Sequence, residues 1–372
     1  MKRSPEDSPC RCLNQAEEKR AREEANDTSS SIDFHHYQRA SNYNFLENIG
    51  HGICGTVYKA EEKETKRRVA IKMIKYDETF VSVDPSDIRE VQIHQTIHHK
   101  NVVEMYGVVK REESREIGIV LEYMDFSLPS FMNKVRTRLS EHQAGYLIYH
   151  LLCGVKYLHA LGIIHRDIKL GNLLLDRDGH LKIADFGTAC VCPTDSLPYD
   201  KQFGTIWYRA PELLLECVSY SSKVDIWSVG CVFALLLMKK PLFGGANEED
   251  QIDKIFHILG TPNEVSWPGV NSFPGMQRYL LSTPSPHVGC LLKGVKGLNA
   301  SQKGLQLLER RNSFLQLPPS KRISAENAIE MEYFKELFSH YNSAAFCDWM
   351  NSKLAEMEEK EKKKKDVSSM KN

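Results

Sequence analysis

The chain has 372 residues, 41% hydrophobic and 26% charged, with 49 basic against 49 acidic residues and a formal net charge of zero. These figures describe a soluble globular protein long enough for two or three compact units, and they argue against a surface that coats nucleic acid. The longest apolar run, Cys231 to Met238, is far short of the ~20 residues of a spanning helix, and the charged opening MKRSPEDS does not read as a signal peptide, so no membrane partner is expected. Ten cysteines, paired in sequence only as C-x-C at Cys10/Cys12 and Cys190/Cys192, fit reduced thiols of a cytosolic or nuclear protein rather than a disulfide framework or a zinc site.

Residues 1 to about 40 are rich in Ser, Glu, Arg and Asn and have scarcely any spaced apolar residues, which predicts a disordered arm. Lys19-Arg20-Ala21-Arg22 within it, and Lys362 to Lys365 near the other end, have the composition of nuclear-import signals but read more simply as solvated charge. Tyr43 to Ala60, YNFLENIGHGICGTVYKA, alternates apolar and polar residues around Gly50, Gly52 and Gly55, the pattern of a glycine-bent hairpin whose backbone amides can approach a phosphate. A lone G-x-G-x-x-G is weak, because dinucleotide-binding sites share it. Asp84-Pro85-Ser86-Asp87 is a helix start, and the helix runs through Ile88, Val91 and Ile97 carrying Glu90. Ile117 to Met124 reads as a buried strand, and apolar residues spaced by three and four from Leu139 to His159 predict a long core helix.

Ile163 to Gly187, IIHRDIKLGNLLLDRDGHLKIADFG, is the centre of the chemistry. Leu173-Leu174-Leu175 and Leu181-Lys182-Ile183 read as strands joined at Asp178-Gly179, a strong tight-turn signal. Such a hairpin folds its outer ends together, so Asn172 and Asp185 are expected side by side, with Asp167 one turn upstream. A carboxylate and an amide oxygen suit Mg²⁺, which leaves the remaining Asp free to act as a base. Asn351 to Lys365 is Glu/Lys-rich without an apolar stripe and predicts a solvated tail.

His165-Arg166-Asp167, with Asn172 five residues on and then Asp185-Phe186-Gly187, resembles the catalytic loop and metal-binding turn of the protein kinases. The resemblance extends to the glycine-rich loop followed by Val69-Ala70-Ile71-Lys72, and it covers roughly Tyr43 to Phe338. It implies an α+β, two-lobed fold: a small antiparallel-sheet N-lobe with one switching helix at about 43–123, and a larger, mainly helical C-lobe at about 127–338. Residues 1–40 would be the arm and 345–372 the charged tail. ATP and Mg²⁺ follow as the expected cofactors. By the same resemblance, Ile49, Gly50, His51, Gly52, Ile53, Cys54, Gly55, Thr56, Val57 and Ala70 would wall the nucleotide. Lys72 would touch its α- and β-phosphates, held there by Glu90, while Leu121 would back the adenine pocket and Glu122 and Met124 would bond adenine through their backbones. Asp167 would take the substrate proton, Lys169 would sit near the transferring phosphate, and Asn172 and Asp185 would hold the metal.

Gly204-Thr205-Ile206-Trp207-Tyr208-Arg209-Ala210-Pro211-Glu212 is similar to the kinases related to cyclin-dependent and MAP kinases, as are Asp225 to Gly230, Leu259 to Pro262 and Trp267 to Gly269. Glu212 would pair with Arg322. Ile88-Arg89-Glu90 matches the cyclin-dependent kinases, in which a cyclin grips this helix. The resemblance implies a Ser/Thr kinase acting on proteins, proline-directed, with a cyclin-type partner, a role in cell-cycle or transcription control, and a nuclear or cytoplasmic site. A kinase-fold scaffold without chemistry is the alternative, but such chains usually lose Lys72, Asp167, Asn172 or Asp185, and all four are present.

Three departures concern regulation. Ile53 and Cys54 stand where cell-cycle members carry an inhibitory Thr-Tyr pair, and Leu170-Gly171 replace the usual Pro and polar residue of the catalytic loop. Asp200, after Tyr199, stands where an activating Thr is usual, and of the three arginines that would hold its phosphate the chain keeps Arg89 and Arg166 but has Cys190 at the third position. A carboxylate is a smaller anion than a phosphate and needs fewer cations, so Asp200 is expected to bond Arg89 and Arg166 and order the loop unaided; the alternative is a solvated Asp200 with Thr194, Ser196 or Tyr199 phosphorylated instead. Gly204 is expected at φ > 0, turning its carbonyl from the substrate so that proline is favoured after the target residue, with Arg209 taking up that carbonyl.

Overall fold

Period-two alternation from Tyr43 onward yields strands, and they join into one six-stranded sheet. The computed structural model describes residues 38–52, 55–75, 85–111, 116–192, 194, 196–198, 205–283, 285–290, 292–309 and 311–369. Its first strands are β1 (Gln38–Arg39), β2 (Tyr43–Gly52), β3 (Gly55–Glu62) and β4 (Arg68–Lys75); α1 (Pro85–Thr96) follows, then β5 (Met105–Arg111) and β6 (Glu116–Glu122). The order across the sheet is β1-β5-β6-β4-β3-β2. Neighbours are antiparallel except that β1 runs parallel to β5 and covers its edge, so the sheet starts slightly before the expected boundary at Tyr43; residues 1–37 of the expected disordered arm lie outside the described residues. Val91 of α1 is buried against Ile74 and Ile119, which seats the helix on the sheet.

The second lobe is helical. It opens with β7 (Phe126–Ser127), α2 (Leu128–Val135) and α3 (Glu141–Ala160). Ser140 and Gln143 start α3 with a reciprocal capping box, which satisfies two otherwise orphaned backbone donors. Short strands β8 (Ile163–Ile164), β9 (Leu173–Leu175), β10 (Leu181–Ile183), β11 (Cys190–Val191) and β12 (Leu197–Pro198) lead to α4 (Pro211–Leu214), β13 (Ser219–Tyr220) and α5 (Lys223–Met238). Residues from Val224 to Met238 are all buried, so the longest apolar run is a core helix packed on α3. Among the described residues no helix is long and apolar enough to cross a membrane. The lobe closes with α6 (Glu248–Leu259), α7 (Pro274–Ser282), α8 (Gln302–Glu309), α9 (Ala325–Ile329), α10 (Glu332–His340) and α11 (Ser343–Ser369).

The structure differs from the sequence reading at this last helix. Phe346, Met350 and Leu354 recur every four residues and are buried, because α11 docks its first half on α2 and α3. Phe346 stacks on Tyr146 with 4.5 Å between ring centroids, and Trp349 meets Phe131 edge-on at 6.0 Å. The stripe lies mostly before Asn351, so a window opening there holds too little of it to register. Residues 358–363 are all exposed, as foreseen for a solvated, charged segment.

α11 also covers the turn between β9 and β10. Gly179 has φ +81°, and a Cβ on it would stand 3.0 Å from Cδ1 of Phe346. Gly179→Ala is therefore expected to lower stability by about 1–2 kcal/mol, the cost of a left-handed L-residue, read as a shift in urea midpoint.

Candidate active site

β9 and β10 pair Leu173 with Ile183 and Leu175 with Leu181, and the N–H of Ala184 donates to the carbonyl of Asn172 at 2.9 Å. The hairpin thus brings Asn172 beside the residue that precedes Asp185. Asn101 pins the same hairpin from behind: its side chain donates to Leu181 O, and its carbonyl accepts the Ile183 N–H at 2.9 Å. Asp185 itself has φ +68°, a left-handed value that Asp tolerates better than most side chains.

Asp167 is buried, and its two oxygens have different duties. Oδ1 accepts from the Thr205 N–H at 3.0 Å and faces Thr205 Oγ1 at 3.4 Å, while Oδ2 accepts from Lys169 Nζ at 2.5 Å and Asn172 Nδ2 at 3.1 Å. The amide nitrogen of Asn172 is directed at Asp167, through its carbonyl as well at 3.0 Å. Its amide oxygen is thereby the atom left for a cation. That oxygen and the Asp185 carboxylate are hard donors at the mouth of one hairpin, a set that fits Mg²⁺.

On the sheet side, Lys72 of β4 reaches Glu90 of α1 at 2.6 Å and Asp185 at 3.7 Å. Ala70 and Leu121 lie opposite each other in register between β4 and β6, with Met124 buried just beyond. The N–H of Glu122 is taken by Glu104 O at 2.8 Å, so an adenine contact at Glu122 falls to its carbonyl. Its side chain pairs with Lys182 of β10 at 2.7 Å, which ties the connection between lobes to the hairpin. Ile49 is exposed on β2, Gly50 faces Val57, and His51 bonds Thr56 at 2.9 Å. Gly52 ends its strand, whereas Ile53 and Cys54 lie outside the described residues. A Cβ on Gly55 would lie 2.2 Å from Met73 O, so this glycine is required by the close approach of β4 as well as by any phosphate.

A residue that the sequence reading left without a role organises the catalytic loop. Asp225 is buried in α5, and its oxygens accept the N–H groups of His165 at 2.9 Å and Arg166 at 2.8 Å and the ring of His159 at 2.8 Å. Burial pushes the Asp225 carboxyl upward, but the His159 bond and charge, with the His165 N–H, outweigh it and hold the group below the usual range. An acidic residue opening an otherwise apolar helix was the available signal. Arg166, at φ +68°, donates to Thr188 O at 2.5 Å and to the Tyr220 hydroxyl at 2.9 Å. It shares with Arg89, Cys190 and Tyr220 a cavity of about 400 Å³ between α1 and the loop. Burial pushes the Cys190 thiol up to about 11, so this position adds no charge. Asp200 and Gly204 lie outside the described residues. Arg209 pairs with Glu248 of α6.

Compared with known proteins, residues 43–334 match the family model described as "Protein kinase domain". "Cyclin-dependent kinase G-1" of Oryza sativa subsp. indica is 39% identical over 295 residues, covering 78% of this chain and 42% of that protein. "Cyclin-dependent kinase G-2" of Oryza sativa subsp. japonica gives 39% over 295 residues and 41% of its length. The chain therefore spans about two fifths of these curated relatives. Among solved structures, the crystal structure of the yeast RNA Pol II CTD kinase CTDK-1 complex aligns with a TM-score of 0.72 and 33% identity, over 81% of this chain and 95% of that one.

Proposed function

The chain belongs to the protein kinase family and resembles the cyclin-dependent kinases within it, and on that premise we propose that it transfers the γ-phosphoryl of ATP to Ser or Thr hydroxyls of proteins. The observation that carries this reading is the Asp167 carboxylate, buried and oriented by Lys169, Asn172 and Thr205 beside the Asn172/Asp185 donor pair. Asp167 accepts the proton of the incoming hydroxyl. Lys169, bonded to the same carboxylate, places positive charge next to the transferring group, and Lys72, braced by Glu90, positions the phosphates before it. Mg²⁺, when bound by Asn172 and Asp185, neutralises phosphate charge.

The substrates are proline-directed, on the chemistry of Gly204 and the following Thr205, which anchors the loop to Asp167. The likeness to an RNA Pol II CTD kinase favours substrates of the transcription apparatus and a nuclear site, and the likeness to cyclin-dependent kinases favours a cyclin-type subunit gripping α1. A degenerate Ser/Thr peptide library with Mg-ATP tests the whole. Enrichment of Pro after the phosphorylated residue is expected; phosphorylation without that preference would remove the role of Gly204. Binding of Mg-ATP with no phosphorylation, even with cell extract added, would favour the scaffold.

Activation is built in: Asp200 supplies the anion that Arg89 and Arg166 otherwise take from a phosphothreonine, which suits a cavity with two guanidinium groups and a neutral thiol. Phosphatase-treated wild type should keep its activity, and Asp200→Ala should lose most of it, with the same partner present. Full activity in Asp200→Ala, or collapse of the wild type on dephosphorylation, would decide against the carboxylate.

A further inference from the structure

His94 takes no part in the transfer step, yet it occupies the joint between α1 and the metal turn. It stands four residues after Glu90, on the same face of the helix. Its ring meets Phe186 edge-on with 4.7 Å between centroids, and Phe186 in turn meets His165 at 5.0 Å. Phe186 directly follows Asp185, so three rings connect α1, the metal turn and the catalytic loop. His94 is 1% exposed, and its Nδ1 is buried with no hydrogen-bond partner among the described residues. Burial first, then the charges of Lys72 and His165, drive its pKa down to about 3 against the pull of Asp185, so the ring is neutral at any working pH. A neutral imidazole still carries one N–H and one lone pair, and the described residues around Nδ1 offer it nothing to bond.

We propose that His94 is a positioning residue set against its own site: its unmatched ring nitrogen destabilises the seated position of α1, the one in which Glu90 reaches Lys72, so the free chain holds this helix loosely until an outside contact fixes it. The proposal rests on the kinase reading for its effect on activity, but not for its effect on the helix. Any outward movement of α1 returns the imidazole to water, which bonds both nitrogens, whereas an apolar side chain gains nothing by leaving. A buried polar group without a partner shifts such an equilibrium by roughly tenfold.

The test compares the full chain, without partner, as wild type, His94→Leu and His94→Gln, with His94→Met in reserve should the Leu variant fail to fold. Amide hydrogen exchange over Pro85–Thr96, Mg-ATP affinity by calorimetry and phosphorylation of a Ser-Pro peptide are read in parallel. His94→Leu is expected to slow exchange across α1 and to raise partner-free phosphorylation, each roughly tenfold. His94→Gln, which keeps polar atoms in the joint, should do neither. Exchange that is unchanged or faster in both apolar variants, or an equal gain in the Gln variant, would overturn the proposal. Absence of Mg-ATP binding in every protein would instead sink the kinase reading, and the exchange comparison would still decide the role of His94.

Discussion

Asp167→Asn is expected to reduce turnover by about 10²- to 10⁴-fold while leaving the affinity for ATP unchanged, the range ordinarily supplied by a positioned base. The variant keeps one oxygen and the shape of the side chain but replaces the other oxygen with a donor. Each oxygen already accepts, one from Lys169 and Asn172 and the other from Thr205, so the new amide sets donor against donor in either orientation. It also cannot hold the proton that the hydroxyl must lose. Lys72 and Glu90, which are proposed to address the nucleotide, make no contact that this change removes. Steady-state kcat alongside a calorimetric Kd for Mg-ATP separates the two effects; a kcat within about threefold of wild type would take the role of base away from Asp167.

Glu212→Ala is expected to lower stability by about 3–5 kcal/mol, because it strands a charge in the core. Glu212 and Arg322 are both buried, and the guanidinium meets the two carboxylate oxygens at 2.7 and 2.9 Å. The fork is completed by the carbonyls of Gln316 and Lys223 and lies 5.2 Å from the Trp227 ring. Without Glu212 the carbonyls remain but the charge has no counterion, and water cannot reach it. Urea unfolding followed by far-UV dichroism would measure the loss. A loss under about 1 kcal/mol would mean that the lobe relaxes to hydrate Arg322, contrary to its packing here.

The legibility of this chain varied with the reach of each contact. The hairpin could be read because its determinants are local: strand-forming triplets and an Asp-Gly turn, which the register of β9 and β10 reproduces. Lys72 with Glu90, and Glu212 with Arg322, required the family resemblance, since nothing in a single sequence pairs a strand with a helix or two residues 110 apart. Asp225 was passed over because its three partners lie 59 to 66 residues upstream, where sequence proximity carries no signal. Nothing in the sequence marks His94; only the ring geometry and the bare nitrogen set it apart. The docking of α11 was hidden by a charged background that dilutes a stripe of four-residue period.

The placement of Phe346 over Gly179 has a consequence for the order of events on the ribosome. The turn is translated early, but the ring that closes over it emerges only after roughly 170 further residues, some 10 to 30 s later at about 5–20 residues per second. Through that interval Tyr146, the turn and the apolar floor beneath α11 are open to solvent and to whatever waits at the exit tunnel. The ends that carry Asn172 and Asp185, the proposed metal ligands, can form first, and the far end of the same hairpin is covered last, so a nascent chain gains its proposed chemistry before its kinetic protection.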